Sequence, residues 1–253
     1  MLAAQRQQRI LDMLLKSGAV STARAARALA VSEETARRDF EKLESDGLLS
    51  RSHGGAIRIN DSHRDLPLDS RESANIAEKQ ALAKSALTLI RAGDSVFFDA
   101  SSTVFHLARL LPNMDLTVFT PALKVAIELA RRPAVRVILS GGTVGHSSLS
   151  CQGDLAAASL ERCHVKMAFF SCRGVDPNRG LSEANIEQAD LKRKMMGLAG
   201  QTILLADHSK IGLKSSWFFA KLPDVDVFVT DRAPGRAVIQ ALKKGGAKLM
   251  LSK

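Results

Sequence analysis

The chain has 253 residues, enough for two domains, and 45% of them are hydrophobic, so it can bury a sizeable core. It contains no apolar run of 18 residues and no apolar segment near its start. We therefore expect neither a membrane span nor a secretory signal, and we expect a cytoplasmic protein. The three cysteines lack the spacing of a disulfide framework or a zinc site, and no glycine-rich nucleotide motif occurs, so we expect no metal and no cofactor.

The net charge of +10 suits a polyanionic partner such as nucleic acid, but its distribution is not informative. Residues 1–58 hold ten Lys and Arg against seven Asp and Glu, a net charge of +3. Residues 59–253 carry the remaining +7. The place where nucleic acid binds must therefore be predicted from local patterns.

Three amphipathic helices are predicted at the start of the chain, because apolar residues recur three or four positions apart. Ser21 and Ser32 are suited to cap the second and third helices, and Gly18 and Gly47 to end the first and third. The apolar faces are Ile10, Leu11, Leu14 and Leu15, then Ala25, Ala26 and Leu29, then Ala36, Phe40 and Leu43. Two helices joined by about three residues are typical of a helix-turn-helix.

The polar face of the third helix and the segment behind it carry candidate DNA contacts. Thr35 can hydrogen-bond a base edge or a phosphate, and Arg37 and Arg38 can form bidentate contacts with guanine or phosphate. Gly54 and Gly55 permit the tight turn of a two-stranded wing. Exposed arginines on a helix are often only solvated, but a wing directly after such a helix favours DNA binding. The predicted contacts within this winged helix-turn-helix domain of residues 1–58 are Ser32, Glu33, Glu34, Thr35, Arg37, Arg38, Lys42, Arg51, His53 and Gly54.

The pattern changes after a polar segment, residues 59–75, which we predict to be an interdomain linker. Residues 76–253 alternate between β-rich and helical runs. The predicted strands are Ser95–Asp99, Leu116–Thr120, Val135–Ser140, Met167–Ser171, Thr202–Asp207, Val225–Thr230 and Lys248–Leu251. The predicted helices are 76–92, 103–111, 121–131, 155–162, 186–199 and 234–243. Since the strands are almost wholly apolar, we predict an α/β domain with a mostly parallel sheet covered by helices.

Polar residues and glycines recur just after these strands, where parallel sheets bind their ligands. Residues 101–103 enter a helix N-terminus, whose free N–H groups favour an anion. Aspartates there can accept hydrogen bonds from sugar hydroxyls, and basic side chains can offset phosphate charge. We therefore predict a site for a small anionic ligand such as a sugar phosphate. Its candidate residues are Asp99, Ser101, Ser102, Thr103, Thr120, Gly141, Gly142, Arg173, Glu187, Lys192, Asp207 and Lys210.

Each of these residues also has a purely structural interpretation. An aspartate after a strand often only caps a helix, and paired glycines such as Gly141 and Gly142 often only make a turn. The helix carrying Glu187 and Lys192 could present a solvated charged face. The convergence of the whole set on one sheet edge favours a binding site.

The motifs resemble the DeoR family of bacterial regulators. Residues 31–40, VSEETARRDF, with the Arg51-Ser-His-Gly-Gly-Ala56 run, are similar to the recognition helix and wing of its DNA-binding domain. Asp99–Thr103, Gly180-Leu181-Ser182 and Asp207-x-Ser-Lys210-x-Gly212 are similar to its effector domain, which is related in fold to ribose-5-phosphate isomerase. The family's Thr-Asn-Ser and Gly-x-x-Gly motifs are replaced here by Thr120-Pro121-Ala122 and Ser171-Cys172-Arg173-Gly174.

The resemblance implies a DNA-binding transcription regulator, usually a repressor of sugar metabolism that responds to a phosphorylated sugar. A homo-oligomer, dimer or tetramer, would bind a double-stranded DNA operator, and a two-fold dimer would need inverted repeats. Activation instead of repression stays open. A further alternative is a phosphosugar isomerase with a DNA-binding appendage, in which Glu187 or Asp99 would be the base.

Overall fold

The computed structural model describes residues 2–45, 48–52, 54–57 and 65–252 of the chain. The chain divides into two compact units, residues 1–61 (unit 1) and 62–253 (unit 2). In the described ranges, no helix has the length and apolar character needed to cross a lipid bilayer. His53, Gly47 and Arg58, which fall in the predicted winged domain, lie outside the described residues.

Unit 1 is a helix-turn-helix followed by a wing. Its elements are α1 (Ala3–Ser17), β1 (Ala19–Ser21), α2 (Thr22–Leu29), α3 (Glu33–Ser45), β2 (Ser50–Ser52) and β3 (Gly55–Ile57). The turn between α2 and α3 has the predicted three residues, and Ala30 in it has a positive φ of 53°. The sequence analysis predicted only two strands, whereas β1 adds a third in the antiparallel order β1-β3-β2.

The core of unit 1 follows the predicted helical faces. The stripe of Ala36, Phe40 and Leu43 on α3 is buried against the apolar sides of α1 and α2. Gly55 makes the close approach of β1 to β3 possible, because a Cβ at this position would lie 2.4 Å from the carbonyl oxygen of Val20. A side chain on Gly55 would therefore push the strands of the wing apart.

Unit 2 contains the rest of the regular structure. Its helices are α4 (Leu68–Ser73), α5 (Ile76–Leu87), α6 (Ser102–Leu110), α7 (Leu123–Leu129), α8 (Asp154–Leu160), α9 (Ile186–Gly197) and α10 (Arg236–Lys244). Its strands are β4 (Ser95–Phe98), β5 (Leu116–Thr120), β6 (Val135–Leu139), β7 (Thr143–Gly145), β8 (Ser150–Gln152), β9 (Val165–Phe170), β10 (Gly174–Asp176), β11 (Gly180–Glu183), β12 (Ala199–Leu205), β13 (Trp217–Ala220), β14 (Val227–Thr230) and β15 (Lys248–Leu251).

Seven strands form one parallel sheet in the order β15-β14-β12-β9-β4-β5-β6. The chain starts in the middle at β4, adds β5 and β6 on one side, and then crosses to add β9 and the later strands on the other side. The direction of winding therefore reverses between β4 and β9. Such a reversal opens a crevice at the carboxyl ends of the two strands, which is where open α/β sheets bind ligands.

Helices cover both faces of this sheet, as predicted. Phe98 of β4 packs into the cluster with α5, α6 and α7, whereas its neighbour Phe97 packs into the cluster with α8 and α9. A third cluster places α10 against the β12–β14 side of the sheet. Neighbouring residues of β4 therefore face opposite helical layers, because side chains alternate along a strand.

The predicted linker is wrong for residues 68–73, which form α4. Leu68 is buried and its N–H donates to the carbonyl of Ser147 (2.8 Å). Lys124 also contacts α4 through Asp69 (2.6 Å) and Glu72 (3.0 Å). The polar composition of the segment hid this helix, because its attachment depends mainly on one apolar residue and on ion pairs to distant positions.

Two small antiparallel sheets were not predicted. Strands β7 and β8 form a hairpin, and β10, β11 and β13 form a three-stranded sheet beside the carboxyl end of β9. These strands have three or four residues each, too few for a twofold alternation of polar and apolar residues to be recognised. They nevertheless contribute Glu183 to the crevice.

Candidate DNA-binding surface and ligand site

The first turn of α3 has the geometry of a capped recognition helix. The hydroxyl of Ser32 accepts from the backbone N–H of Thr35 (3.2 Å), and the two hydroxyl oxygens lie 2.9 Å apart. Ser32 therefore caps α3 as predicted. This leaves polar side chains at the exposed start of the helix, where recognition helices contact base edges.

Arg37 and Arg38 project from α3 with 54% and 77% of their side chains exposed. Arg37 lies 3.7 Å from both Glu33 and Glu34, and Arg38 lies 3.4 Å from Glu34. Exposed pairs of this kind contribute little free energy, so DNA phosphates can compete for the arginines. Glu33 and Glu34 also lie near the positive end of the helix dipole. Their position beside the arginines suits orienting those side chains better than contacting DNA directly.

Sequence reasoning gave Asp39 no role, but the structure assigns it one. Its carboxylate is buried on the inner side of α3 and accepts from Arg6 Nε (2.7 Å) and Nη2 (3.1 Å). This bidentate pair fixes α3 against α1 behind the exposed arginines. The signal in the sequence was its spacing, since Asp39 lies three positions after Ala36 and four before Leu43 and therefore on the buried face of α3.

The wing is joined to α3 through Arg51. Its guanidinium lies 2.8 Å from Glu41, and its backbone N–H donates to Glu44 (2.8 Å). Gly54 is exposed in the turn with a φ of 85°, as a tight turn requires. Lys42 is also exposed on α3. The structure therefore places all the predicted DNA contacts that it describes on the exposed side of α3 and on the wing.

In unit 2, Asp99 occupies the crevice between β4 and β9. Its side chain is 1% exposed. Oδ1 accepts from the N–H and hydroxyl of Ser101 (2.9 and 2.5 Å), and Oδ2 accepts from the N–H of Ser171 (3.0 Å). Asp99 therefore joins the carboxyl ends of the two strands at the reversal point. With every one of these bonds made, it positions the loops and has little capacity left for a sugar hydroxyl.

Lys192 of α9 lies beside Asp99, and its positive charge is already balanced by two carboxylates of the protein. Its Nζ is 3.0 Å from Asp99 and 2.5 Å from Glu183, and it donates to the carbonyl of Ser171 (2.6 Å). Burial lowers the pKa of Lys192, but the two carboxylates outweigh burial and hold this pKa above its usual value. We predicted that Lys192 offsets phosphate charge, whereas in the structure it balances two carboxylates of the protein.

Other predicted residues divide into structural and available groups. Thr120 is fully buried, donates to the carbonyl of Phe98 (2.7 Å) and accepts from the N–H of Ala122 (3.1 Å). Gly142 has a φ of 117°, and a Cβ there would lie 2.7 Å from the carbonyl of Gln152, so it shapes the turn into β7. These two positions therefore hold the loops in place. Gly141, by contrast, has open space where its Cβ would be.

The start of α6 is the available group. Ser101 caps this helix by accepting from the N–H of Val104 (3.1 Å). The hydroxyls of Ser102 and Thr103 make no hydrogen bond within the described part of the chain. The first turn of α6 therefore offers two hydroxyl groups and the positive end of a helix dipole to an anion.

The carboxyl end of β12 contributes a carboxylate and nearby lysines. Asp207 is buried, and its Oδ1 accepts from the N–H of Ser209 (2.9 Å) and from Asn75 (3.3 Å). Its Oδ2 is buried without a hydrogen-bond partner among the described groups. Burial raises the pKa of Asp207. The charge of Lys210 and the hydrogen bonds from Ser209 together lower this pKa by more, so the net shift is downward.

Lys210 and Lys79 supply positive charge at this point. Lys79 is buried in α5 and donates to the carbonyls of Arg71 and Ala74. Burial and the charge of Lys210 lower the pKa of Lys79 to about 7. Burial also lowers the pKa of Lys210, which lies near Asp207 and Arg173. Burial is the largest cause of both shifts, so an anion bound beside these two lysines would offset part of the cost of burying their charge.

Lys79 was not predicted as a site residue, although its pattern was visible. It lies on the same helical face as Leu82, Ala83 and Ala86, all of which are buried. Glu187, by contrast, was predicted as a site residue but is exposed in the first turn of α9. Within the described residues, no hydrogen bond or ion pair joins Glu187 to the crevice.

Comparison with known proteins agrees with both units. Residues 6–62 match the DeoR-like helix-turn-helix domain, and residues 74–232 match the DeoR C terminal sensor domain. The HTH-type transcriptional regulator YulB of Bacillus subtilis is 40% identical over 249 residues, covering 98% of this chain and 96% of that protein. The HTH-type transcriptional repressor GlcR of Bacillus subtilis is 33% identical over 243 residues, covering 96% and 94%. Ribose 5-phosphate isomerase A from Methanocaldococcus jannaschii aligns over 56% of each chain with 16% identity and a TM-score of 0.42.

Proposed function

Because the chain belongs to the DeoR family of DNA-binding transcription regulators, we propose that it represses an operon of sugar metabolism under control of a phosphorylated sugar. In this proposal α3 and the wing bind a double-stranded operator, and unit 2 binds the sugar phosphate. The protein works in the cytoplasm as a homo-oligomer, dimer or tetramer. The repressor GlcR is similar over nearly the full chain, but the L-fucose operon activator of Escherichia coli is also 33% identical over 230 residues, so activation is the alternative direction of control.

One observation carries the effector part of the proposal. The buried Lys79 and the half-buried Lys210 lie at the carboxyl end of β12, with Asp207 as a neighbouring carboxylate. Positive charge in a desolvated crevice favours an anion. The open hydroxyls at the start of α6 suit the oxygens of a phosphate group, and the unpartnered Oδ2 of Asp207 suits a sugar hydroxyl.

Control requires that the sugar phosphate bind the DNA-bound and DNA-free states with different affinity. An effector that lowers operator affinity tenfold needs a difference of about 1.4 kcal/mol between the two states. We propose that the ligand draws the loops after β4 and β12 together and thereby changes how two copies of unit 1 are presented to an inverted repeat. An effector with equal affinity for both states would change nothing.

The isomerase alternative loses both of its candidate bases. Asp99 is surrounded by donors from Ser101, Ser171 and Lys192, and Glu187 is exposed away from the crevice. A general base needs a free lone pair within reach of the substrate proton. The chain is a transcription regulator and not an enzyme, in agreement with its relatives.

The proposal is tested by a mobility-shift titration of the full chain on its own upstream DNA, with and without sugar phosphates. We expect release from DNA with a phosphorylated sugar and no response to the same sugar without phosphate. Lys210→Met should bind DNA normally but lose the response, whereas Lys243→Met, at an exposed position on α10, should behave like the unmodified protein. Indifference to every phosphorylated sugar would refute the effector part, and reporter expression after gene deletion would distinguish repression from activation.

A further inference from the structure

A second cluster of charged groups lies at the same edge of the sheet but outside the proposed sugar-phosphate site. One ring nitrogen of His208 and one carboxylate oxygen each of Glu78 and Asp231 lie within 4.8 Å of one another. All three residues are only partly buried, so an ion from solvent can reach them. They come from three separate elements that the chain brings together.

The fold fixes each of these side chains. His208 and Asp231 directly follow the adjacent parallel strands β12 and β14, so their backbones are neighbours. The N–H of His208 donates to Asp231 Oδ1 (2.6 Å), and Nδ1 lies 2.6 Å from Oδ2. Glu78 is in the first turn of α5, whose preceding residue Asn75 is bonded to Asp207 and Ser209. The start of α5 is thereby held against the loop that carries His208.

The charge of the cluster is negative and poorly balanced. Glu78 has no hydrogen-bond or ion-pair partner within the described residues. Asp231 has the basic side chain of Arg232 at 3.6 Å, but that side chain is 68% exposed and contributes little. Two carboxylates held this close are unfavourable unless a cation lies between them.

We propose that Glu78, His208 and Asp231 form a binding site for a divalent transition-metal ion, for which Zn²⁺ is the best match. An imidazole nitrogen with two carboxylate oxygens is a ligand set for Zn²⁺, with bond lengths of about 2.0–2.2 Å. Such bonds place tetrahedral ligand atoms about 3.4 Å apart. The existing separations, 2.6 Å between His208 Nδ1 and Asp231 Oδ2 and at most 4.8 Å for the set, differ from this value by about 1 Å. Solvent supplies the fourth ligand.

The ion would join the start of α5 to the ends of β12 and β14. It shares no ligand with the proposed sugar-phosphate site, although Glu78 and His208 are the chain neighbours of Lys79 and Asp207. The sequence gave no sign of it, since the three ligands are separated by 130 and 23 positions and have none of the short spacings of a zinc motif. Only the parallel pairing of β12 with β14 brings them together.

The test is calorimetric titration of the full-length protein, freed of metal with a chelator, with ZnCl₂ and separately with MgCl₂. We expect saturable one-to-one binding of Zn²⁺ and none of Mg²⁺, which prefers an octahedral shell of oxygens. Glu78→Gln and His208→Ala should each weaken Zn²⁺ binding by about tenfold or more. His146→Ala, which removes an exposed imidazole between β7 and β8, should bind Zn²⁺ like the unmodified protein.

Thermal unfolding in the presence of chelator controls for folding. Glu78→Gln removes one of two carboxylate charges that repel each other in the metal-free protein, so its melting temperature in chelator should equal or exceed that of the unmodified protein. Added Zn²⁺ should raise the melting temperature of the unmodified protein and of His146→Ala but not that of Glu78→Gln. The proposal is overturned if Zn²⁺ does not bind one-to-one, or if Glu78→Gln and His208→Ala bind it as tightly as the unmodified protein.

Discussion

Replacing Lys192 with Met tests whether this lysine is the counter-ion of the crevice or a ligand for phosphate. Methionine has similar length and can keep the packing against Phe219, whose ring centre lies 5.6 Å from Nζ. The change therefore removes mainly charge. Asp99, 1% exposed, and Glu183, 15% exposed, would remain in the crevice without a cation.

The expected cost follows from those contacts. Removing one partner of a buried ion pair costs about 3–5 kcal/mol. Asp99 keeps its bonds from Ser101 and Ser171, and Glu183 can still reach solvent, so we expect the lower end, about 3 kcal/mol. If Lys192 instead served only a phosphate ligand, Lys192→Met would leave the free protein unchanged or more stable.

Urea unfolding of the full chain can measure this loss within unit 2. Trp217 is the only tryptophan, and in β13 it pairs with Glu183 of β11, so its fluorescence follows this part of the fold. Lys194→Met on the same helix is the matched control, because its partner Glu161 is 62% exposed and little change is expected. A loss below about 1 kcal/mol for Lys192→Met, as for an exposed pair, would refute the reasoning.

Three further predictions concern other parts of the chain. Gly55→Ala should destabilise unit 1 by about 1–3 kcal/mol in thermal unfolding, because its Cβ would collide with the backbone of β1. Arg37→Ala should cost about 1–3 kcal/mol in operator affinity if it contacts a base, and an equal loss on unrelated DNA would instead assign it to phosphate. Burial raises the pKa of Asp94. The hydrogen bonds from Lys166 and from the backbone N–H of Arg91 together lower this pKa by more, so the net shift is downward. The stability it contributes is therefore present above about pH 4 and lost as the pH falls through its folded pKa, and Asp94→Asn should flatten that acid limb in pH-dependent melting.

The sequence predicted the parts of the fold that depend on long apolar patterns. The stripe of Ala36, Phe40 and Leu43 and the apolar strands on either side of Asp99 each extend over several turns or residues, so periodicity identifies them. It missed β1, α4 and the small sheet containing Glu183. These elements are short, and they are held by partners far away in the chain that no local pattern reveals.

The candidate sites were predicted by position but not by role. Position after a strand correctly placed Asp99, Lys210 and Asp207 at the sheet edge. Which charge balances which depends on three-dimensional neighbours, so Lys192 was interpreted as a phosphate ligand although two carboxylates already surround it. Lys79 was overlooked for the same reason, since a lysine on an apolar helix face shows its meaning only when its neighbours are known.

The Arg6–Asp39 pair has a consequence for how this regulator can diverge. Because α3 is fixed to α1 from its buried side, the exposed side chains of Arg37 and Arg38 are not needed to hold the helix at its angle. If Arg37 and Arg38 contact bases, substitutions on that outer face change the preferred operator while the docking angle is kept. A change at Asp39 should instead loosen α3 and weaken binding to all operators together, so the buried pair has to be kept while the outer face changes.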